Sequence, residues 1–233
     1  MSTSAEQRVQ SQFNMILPIK SWVELKESNA VIHFTKWLIS EERETIGTLH
    51  FARFVELHDH NQLGYFAVFD GDFRTYVRDF INDLGPVFDA LIKHVVDGPP
   101  VPCESDTFID WSSAHNQEGI GFYSAYPTLT AKAIRKSGGT HRGGSALWGQ
   151  SALTLVLHLK SPTHFAVLSQ SLTQSLPRLY AALDTIGSVF FFRFVPWGTH
   201  AMLLIAEYDC PSKELPQSEP VRYAALGSMG TSW

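Results

Sequence analysis

Cysteine, charge and long apolar runs are all scarce in this chain. Two cysteines, Cys103 and Cys210, occur among 233 residues, far apart and each beside a proline. That leaves no material for a disulfide framework or a thiolate zinc site. Charged residues make up 18%, the formal net charge is −5, and the basic residues are scattered. No cationic stripe exists to neutralise phosphates, so nucleic acid is not expected as a partner. No run reaches the roughly 20 apolar residues of a membrane span, so no membrane partner is expected either. The first twelve residues, MSTSAEQRVQSQ, are polar and lack the apolar stretch of a secretion signal. A reducing cytoplasm is therefore the expected compartment. The chain also lacks a GxSxG elbow, an HExxH pair, a CxxC pair and an EF-hand loop. These absences argue against serine hydrolase, zincin, thiol-redox and calcium chemistry.

What is present is apolar and aromatic. Hydrophobic residues reach 44% and aromatic residues 12%, with 16 Phe, 7 Tyr and 6 Trp. Such a composition folds, and it suits a packed core or an apolar ligand cavity.

The chain repeats itself across 140 residues. Residues 45–55 read TIGTLHFARFV and residues 185–195 read TIGSVFFFRFV, identical at seven of eleven positions. The shared residues include Gly47/Gly187, Phe51/Phe191, Arg53/Arg193 and Val55/Val195. An apolar strand follows each, LGYFAVFD at 63–70 and MLLIAEYD at 202–209, ending in Asp70 and Asp209. A helical pattern precedes each: Val31, Phe34, Leu38 and Ile39 in the first copy; Phe165, Leu168, Leu172, Leu176 and Leu179 in the second. Strand-like runs at 13–20 and 151–160 come before those helices. The glycine at each helix exit suits a C-cap.

In the first copy a second helical pattern runs from Phe73 to Val95, with Gly85-Pro86 expected to interrupt it, and GIGFYSAYP at 119–127 supplies a fourth strand. The order βαββαβ is the split ferredoxin-like unit. Only 24 residues follow Asp209, with Pro211, Pro216 and Pro220 among them, so the second copy is expected to be incomplete. The expected architecture is α+β: tandem duplicated ferredoxin-like units, with antiparallel sheets and helices on one face. The first unit covers 1–134, a glycine-rich linker 135–150, and a truncated second unit with a proline-rich tail 151–233. Bare sheet faces of two such units bury one another when they face or close into a barrel.

On these residues the chain resembles the dimeric α+β barrel superfamily in its single-chain duplicated form, over about 13–126 and 151–209. LHFARFV, FDGDF and GFYSAYP also resemble a bacterial group within it. The resemblance implies cofactor-independent monooxygenase, cyclase or dehydratase chemistry, or the haem chemistry of relatives of chlorite dismutase and dye-decolorizing peroxidase. The GxxDG spacing of the latter is absent. The helix that carries the axial histidine in the former is the element the second copy lacks.

Arg53 and Arg193 lie mid-strand with apolar neighbours at ±2. Each needs a carboxylate or another strong acceptor, either a ligand or a structural partner such as Asp70 or Asp209. His50 is replaced by Phe190 in the second copy; by strand parity it faces away from Arg53, either as part of a specialised site or as a buried histidine. His58-Asp59-His60 and His200 fall in the two hairpins and could ligate metal or simply be solvated. His94 and His164 are the candidates for axial haem ligation, and His94 equally suits a helix C-terminus. Tyr123, Tyr126 and Tyr65 could polarise a carbonyl or merely cover the core. SGGTHRGG at 137–144, with His141 and Arg142, could cradle phosphate but lacks the Walker and dinucleotide spacings.

The leading expectation is a cofactor-independent small-molecule enzyme acting on an apolar or aromatic metabolite, with Arg53, Arg193, His50 and Tyr123 as catalytic candidates. The alternatives are a haem-binding, peroxidase-like protein and a non-catalytic ligand-binding or assembly protein. A homodimer is expected.

Overall fold

The computed structural model describes residues 8–31, 47–57, 61–138, 150–159, 162–199, 201–209 and 222–225. Two compact units emerge: Met1–Gln117 with Thr128–His141, and Glu118–Pro127 with Arg142–Trp233. Together they form an α+β protein with two largely antiparallel sheets. None of the described helices is long and apolar enough to cross a membrane.

In the first unit, β1 (Gln10–Pro18), β2 (Leu49–Leu57) and β3 (Gln62–Asp70) form a three-stranded sheet of order β1-β3-β2, antiparallel throughout. One face carries Phe13, Met15, Leu17, Leu63, Tyr65, Ala67 and Phe69, the alternate residues of β1 and β3. They pack on α2 (Phe73–Ile92), which presents Tyr76, Val77, Phe80, Ile81 and Leu84 at helical spacing. Asp72 caps that helix, its side chain accepting from Thr75 N at 2.9 Å. The short α1 (Trp22–Glu27) adds Leu25 to this core, and α3 (Ser105–His115) adds Phe108 and Ile109.

The helix α2 does not break at Gly85-Pro86; Pro86 lies inside it. Proline disfavours a helical residue before it by crowding that residue's Cβ, and Gly85 has no Cβ. The expected first-copy helix around Phe34, Leu38 and Ile39 lies outside the described residues.

In the second unit, β4 (Ile120–Ser124), β6 (Val189–Trp197), β7 (Ala201–Asp209) and β5 (Gln150–His158) form an antiparallel sheet in the order β4-β6-β7-β5. A further strand, β8 (Arg222–Ala225), lies parallel to β5 on its outer side. The fourth strand expected for the first sheet is thus β4, and it pairs with β6 of the second sheet. The tail beyond Asp209 contributes a strand, β8, rather than only a proline-rich end.

The helix α5 (Pro162–Ile186) covers one face of that sheet, with Leu172, Leu179 and Leu183 against Phe192, Phe194, Met202 and Ala206. Leu176 sits where a Cβ on Gly121 would stand, and Gly121 has φ +70° at an irregularity in the β4–β6 pairing. Glycine is required there on both counts. Gly187 ends α5 with φ +68°, its N–H bonded to Leu183 O at 3.0 Å, as the repeat led us to expect. The linker proper, 139–149, lies outside the described residues; α4 (Ala131–Gly138) occupies the segment before it.

Candidate functional site

The two sheets share a local irregularity. On β2, Leu49 pairs with Phe69 and Phe51 with Val68, so His50 is the extra residue of a β-bulge. On β6, Val189 pairs with Tyr208 and Phe191 with Glu207, which makes Phe190 the extra residue at the repeat-equivalent place. A bulge breaks the two-residue alternation of faces. Ala52 and Phe54 stand opposite Ala67 and Tyr65 on the helix-covered face; Phe51, Arg53 and Val55 stand opposite Val68, Phe66 and Gly64 on the other.

His50 reaches Asp70, which shares that second face with Phe66 and Val68. His50 Nε2 lies 2.6 Å from Asp70 Oδ1, with the side chains 4% and 10% exposed. His50 therefore shares a face with Arg53, contrary to simple parity counting; the bulge is the reason.

Asp70 is doubly engaged. Its Oδ2 accepts from Ala131 N, the first residue of α4, at 2.7 Å. The bond caps the N-terminal end of that helix, where a backbone N–H has no partner within the helix. Asp70 and α4 hold the imidazole in place, as a carboxylate orients a general base. Arg53 is half-buried, stands opposite Phe66 and places its guanidinium carbon 5.7 Å from the centre of the Phe51 ring. The partner foreseen for Arg53, Asp70, is thus aligned with His50, four residues along β3 from Phe66.

β1 completes the same face. Gln10, Gln12 and Asn14 stand opposite Asp70, Val68 and Phe66. Asn14 is fully buried and donates from Nδ2 to Gln12 Oε1 at 3.1 Å and to Gln117 O at 3.0 Å. Gln10 donates from Nε2 to Leu129 O at 2.9 Å.

Comparison with protein-family models, with curated proteins and with solved structures finds no match to this chain.

Arg193 has a different setting. It is fully buried on the second sheet, with Nη1 3.8 Å from Glu207 Oε2, and Glu207 is fully buried too. The two are diagonal cross-strand neighbours, since Glu207 stands opposite Phe191. Burial lowers the pKa of the guanidinium, and the negative charge of Glu207 offsets part of that. Glu207 is an ion-pair partner of Arg193 that was not foreseen; the side chain of Asp209, the partner that was, lies outside the described residues. Glu207 was legible as the charged residue that ends the apolar run MLLIA at 202–206.

Tyr123 belongs to the second unit, on the helix-covered face of its sheet, and donates to Asp184 Oδ1 at 2.8 Å. Burial and the neighbouring carboxylate push its hydroxyl up to about 12. It does not share a face with Arg193, whose side is that of Glu207 and Phe191. Tyr65 is fully buried, its hydroxyl 3.1 Å from that of Tyr76 in the first core. Tyr126 is about half exposed.

His94 follows α2. Its ring is 9% exposed, Nδ1 lies 4.0 Å from Glu24 Oε2, and Nε2 is buried without a hydrogen-bond partner. A haem macrocycle requires an apolar slot beside its axial imidazole. The charged neighbours of His94 are Lys93, Glu24 and Lys20, a setting that does not fit the group. His164 falls in the first turn of α5, and its side chain lies outside the described residues, as do His58, Asp59, His60, His141, Arg142 and His200. Among the described residues no three His, Cys, Asp or Glu side chains gather to hold a metal ion.

Proposed function

We propose that this chain is a cofactor-independent small-molecule enzyme of the dimeric α+β barrel type, built from two ferredoxin-like copies, with its reactive site on the first. The observation that carries this is the buried His50–Asp70 pair, placed by a bulge on the same sheet face as Arg53. The duplication is supported by the seven identities of the repeat, by the equivalent strand orders β1-β3-β2 and β5-β7-β6, and by the matching bulges at His50 and Phe190.

In this scheme His50 accepts a proton from carbon or oxygen of the substrate, and Asp70 stabilises the imidazolium that results. Arg53 stands three residues along the same face to pair with the oxygen on which negative charge develops. Proton transfer of that kind serves cyclisation and dehydration of an apolar or aromatic metabolite.

The test follows deuterium exchange at the acidic C–H of aryl ketones, keto esters and keto acids in D2O by proton NMR. Acceleration by the protein that His50→Gln returns to background is the expected result. Exchange at equal rates with the protein and with the His50→Gln variant would remove His50 from the mechanism.

A further inference from the structure

The two copies differ in how the helix-covered face of the sheet is finished. Equivalent strands keep equivalent registers: Met15 stands opposite Tyr65 across β1 and β3, and Leu155 opposite Leu204 across β5 and β7. Leu17 and Leu157 hold the next equivalent place, opposite Leu63 and Met202. In the first copy Met15, Leu17 and Tyr65 are at most 1% exposed, sealed in the core that α2 closes. In the second copy Leu155, Leu157 and Leu204 are only half-buried. Among the described residues no counterpart of α2 follows β7. The stretch 210–221, which joins β7 to β8, is shorter than α2 and carries Pro211, Pro216 and Pro220.

The helix α5 borders this leucine strip. Its Tyr180 and Asp184 face β4, since Tyr123 meets both, the ring at 5.7 Å and the carboxylate at 2.8 Å. The opposite flank carries Ser171, Ser175, Ala182 and Ile186, all exposed, on the side toward β5. Ile186 is 61% exposed, and Val167 on the outer side is 63% exposed. Charge is nearly missing: Arg178 and Asp184 are the only Lys, Arg, Asp or Glu of 162–186, whereas the shorter α2 has Arg74, Arg78, Asp79, Asp83 and Asp89. A helix that rests one side on a core and leaves the other in water carries charge on the wet side, as α2 does. The composition of α5 is that of a helix covered on more than one side.

We infer that α5 of a second copy of this chain covers the strip of Leu155, Leu157 and Leu204, and that the first copy's α5 covers the same strip in return. Each copy offers one neutral, exposed helix and one leucine strip beside it, so the contact is self-complementary, as a two-fold dimer requires. The strip calls for a helix without charge, and α5 is the long described helix that answers to that. This dimer surface belongs to the second copy and does not depend on the His50 site.

The test is sedimentation equilibrium of the full chain across a range of concentrations, in the wild type and in Ala182→Glu, Ile186→Glu and Thr173→Glu. All three positions are exposed in the single chain, so circular dichroism should show each variant folded. The wild type is expected to be a dimer. Ala182→Glu and Ile186→Glu each place a carboxylate in the contact and should weaken association at least about tenfold. Thr173→Glu lies on the flank that faces β4 and should leave association within about twofold. A wild type that stays monomeric would overturn the inference and assign the strip to another segment of the chain or to a different protein. A dimer that Ala182→Glu and Ile186→Glu weaken no more than Thr173→Glu does would overturn it too, by placing the interface elsewhere.

Discussion

Gln10 and Asp70 stand directly opposite one another on β1 and β3, and both reach into the segment that begins α4. Gln10 donates to Leu129 O, and Asp70 accepts from Ala131 N. The carboxylate that orients His50 thus also fastens a helix to the end of the sheet.

Asp70→Asn should loosen both attachments at once. A hydrogen bond to a charged group contributes about 1.5–3 kcal/mol, so the Ala131 amide should exchange with solvent roughly ten- to a hundredfold faster. Hydrogen-exchange NMR at Ala131 reads this directly. Unchanged protection there would show that α4 is held by other contacts.

The Arg193–Glu207 pair should behave as buried pairs do when broken from one side. Glu207→Leu leaves a guanidinium buried without its carboxylate neighbour and should cost about 3–5 kcal/mol, whereas Arg193→Met combined with Glu207→Leu should recover most of that loss. Urea unfolding of the two single variants and the double variant closes the cycle. A double variant as unstable as Glu207→Leu alone would count against the pair as a unit.

Tyr65 and Tyr76 share a hydrogen bond in the first core, and burial raises both phenol pKa values well above the usual value of about 10. The unfolded chain loses these protons first, so the stability they confer is intact below that pH and declines as pH rises beyond it. Unfolding midpoints between pH 8 and pH 11 should fall steeply in the wild type and less so in Tyr65→Phe combined with Tyr76→Phe. Tyr76→Phe alone, which leaves the Tyr65 hydroxyl buried without its mate, should cost about 1–3 kcal/mol at neutral pH.

His94 supplies the acid-side counterpart. Burial lowers its pKa, helped by Lys93 and Lys20 and opposed by Glu24. The unfolded chain binds the proton more readily, so the contribution is whole above the ordinary imidazole pKa of about 6.5 and is lost as pH falls through the lowered folded value. His94→Gln should flatten the difference in urea midpoint between pH 7.5 and pH 5.5. An unchanged slope would place the acid sensitivity elsewhere.

Much of this was legible in the sequence because strand residues alternate and the repeat falls on strands. TIGTLHFARFV and TIGSVFFFRFV become β2 and β6 in equivalent sheet positions. What escaped depends on local departures from that alternation. His50 changes face because of one extra residue, which no residue type at 49–51 announces. That Glu207 meets Arg193 escaped because diagonal pairing follows register, and register is fixed only once β6 and β7 align. The helix α3 was missed since Phe108, Ile109 and Ser112 are all it buries, a thin stripe for an eleven-residue helix. The partner of β4 could not be read from 119–127, because an isolated apolar strand carries no address for its neighbour.

The placement of β4 has a practical outcome for anyone who wishes to divide this protein. The chain leaves the first unit after Gln117, returns to it at Thr128 and departs again after His141. No single cut in the polypeptide yields two intact pieces. A fragment ending at the glycine-rich stretch takes β4 away from β6 and strips the second sheet of an edge strand, inviting aggregation. Either half is better studied in the whole covalent chain, with one copy silenced by point substitution.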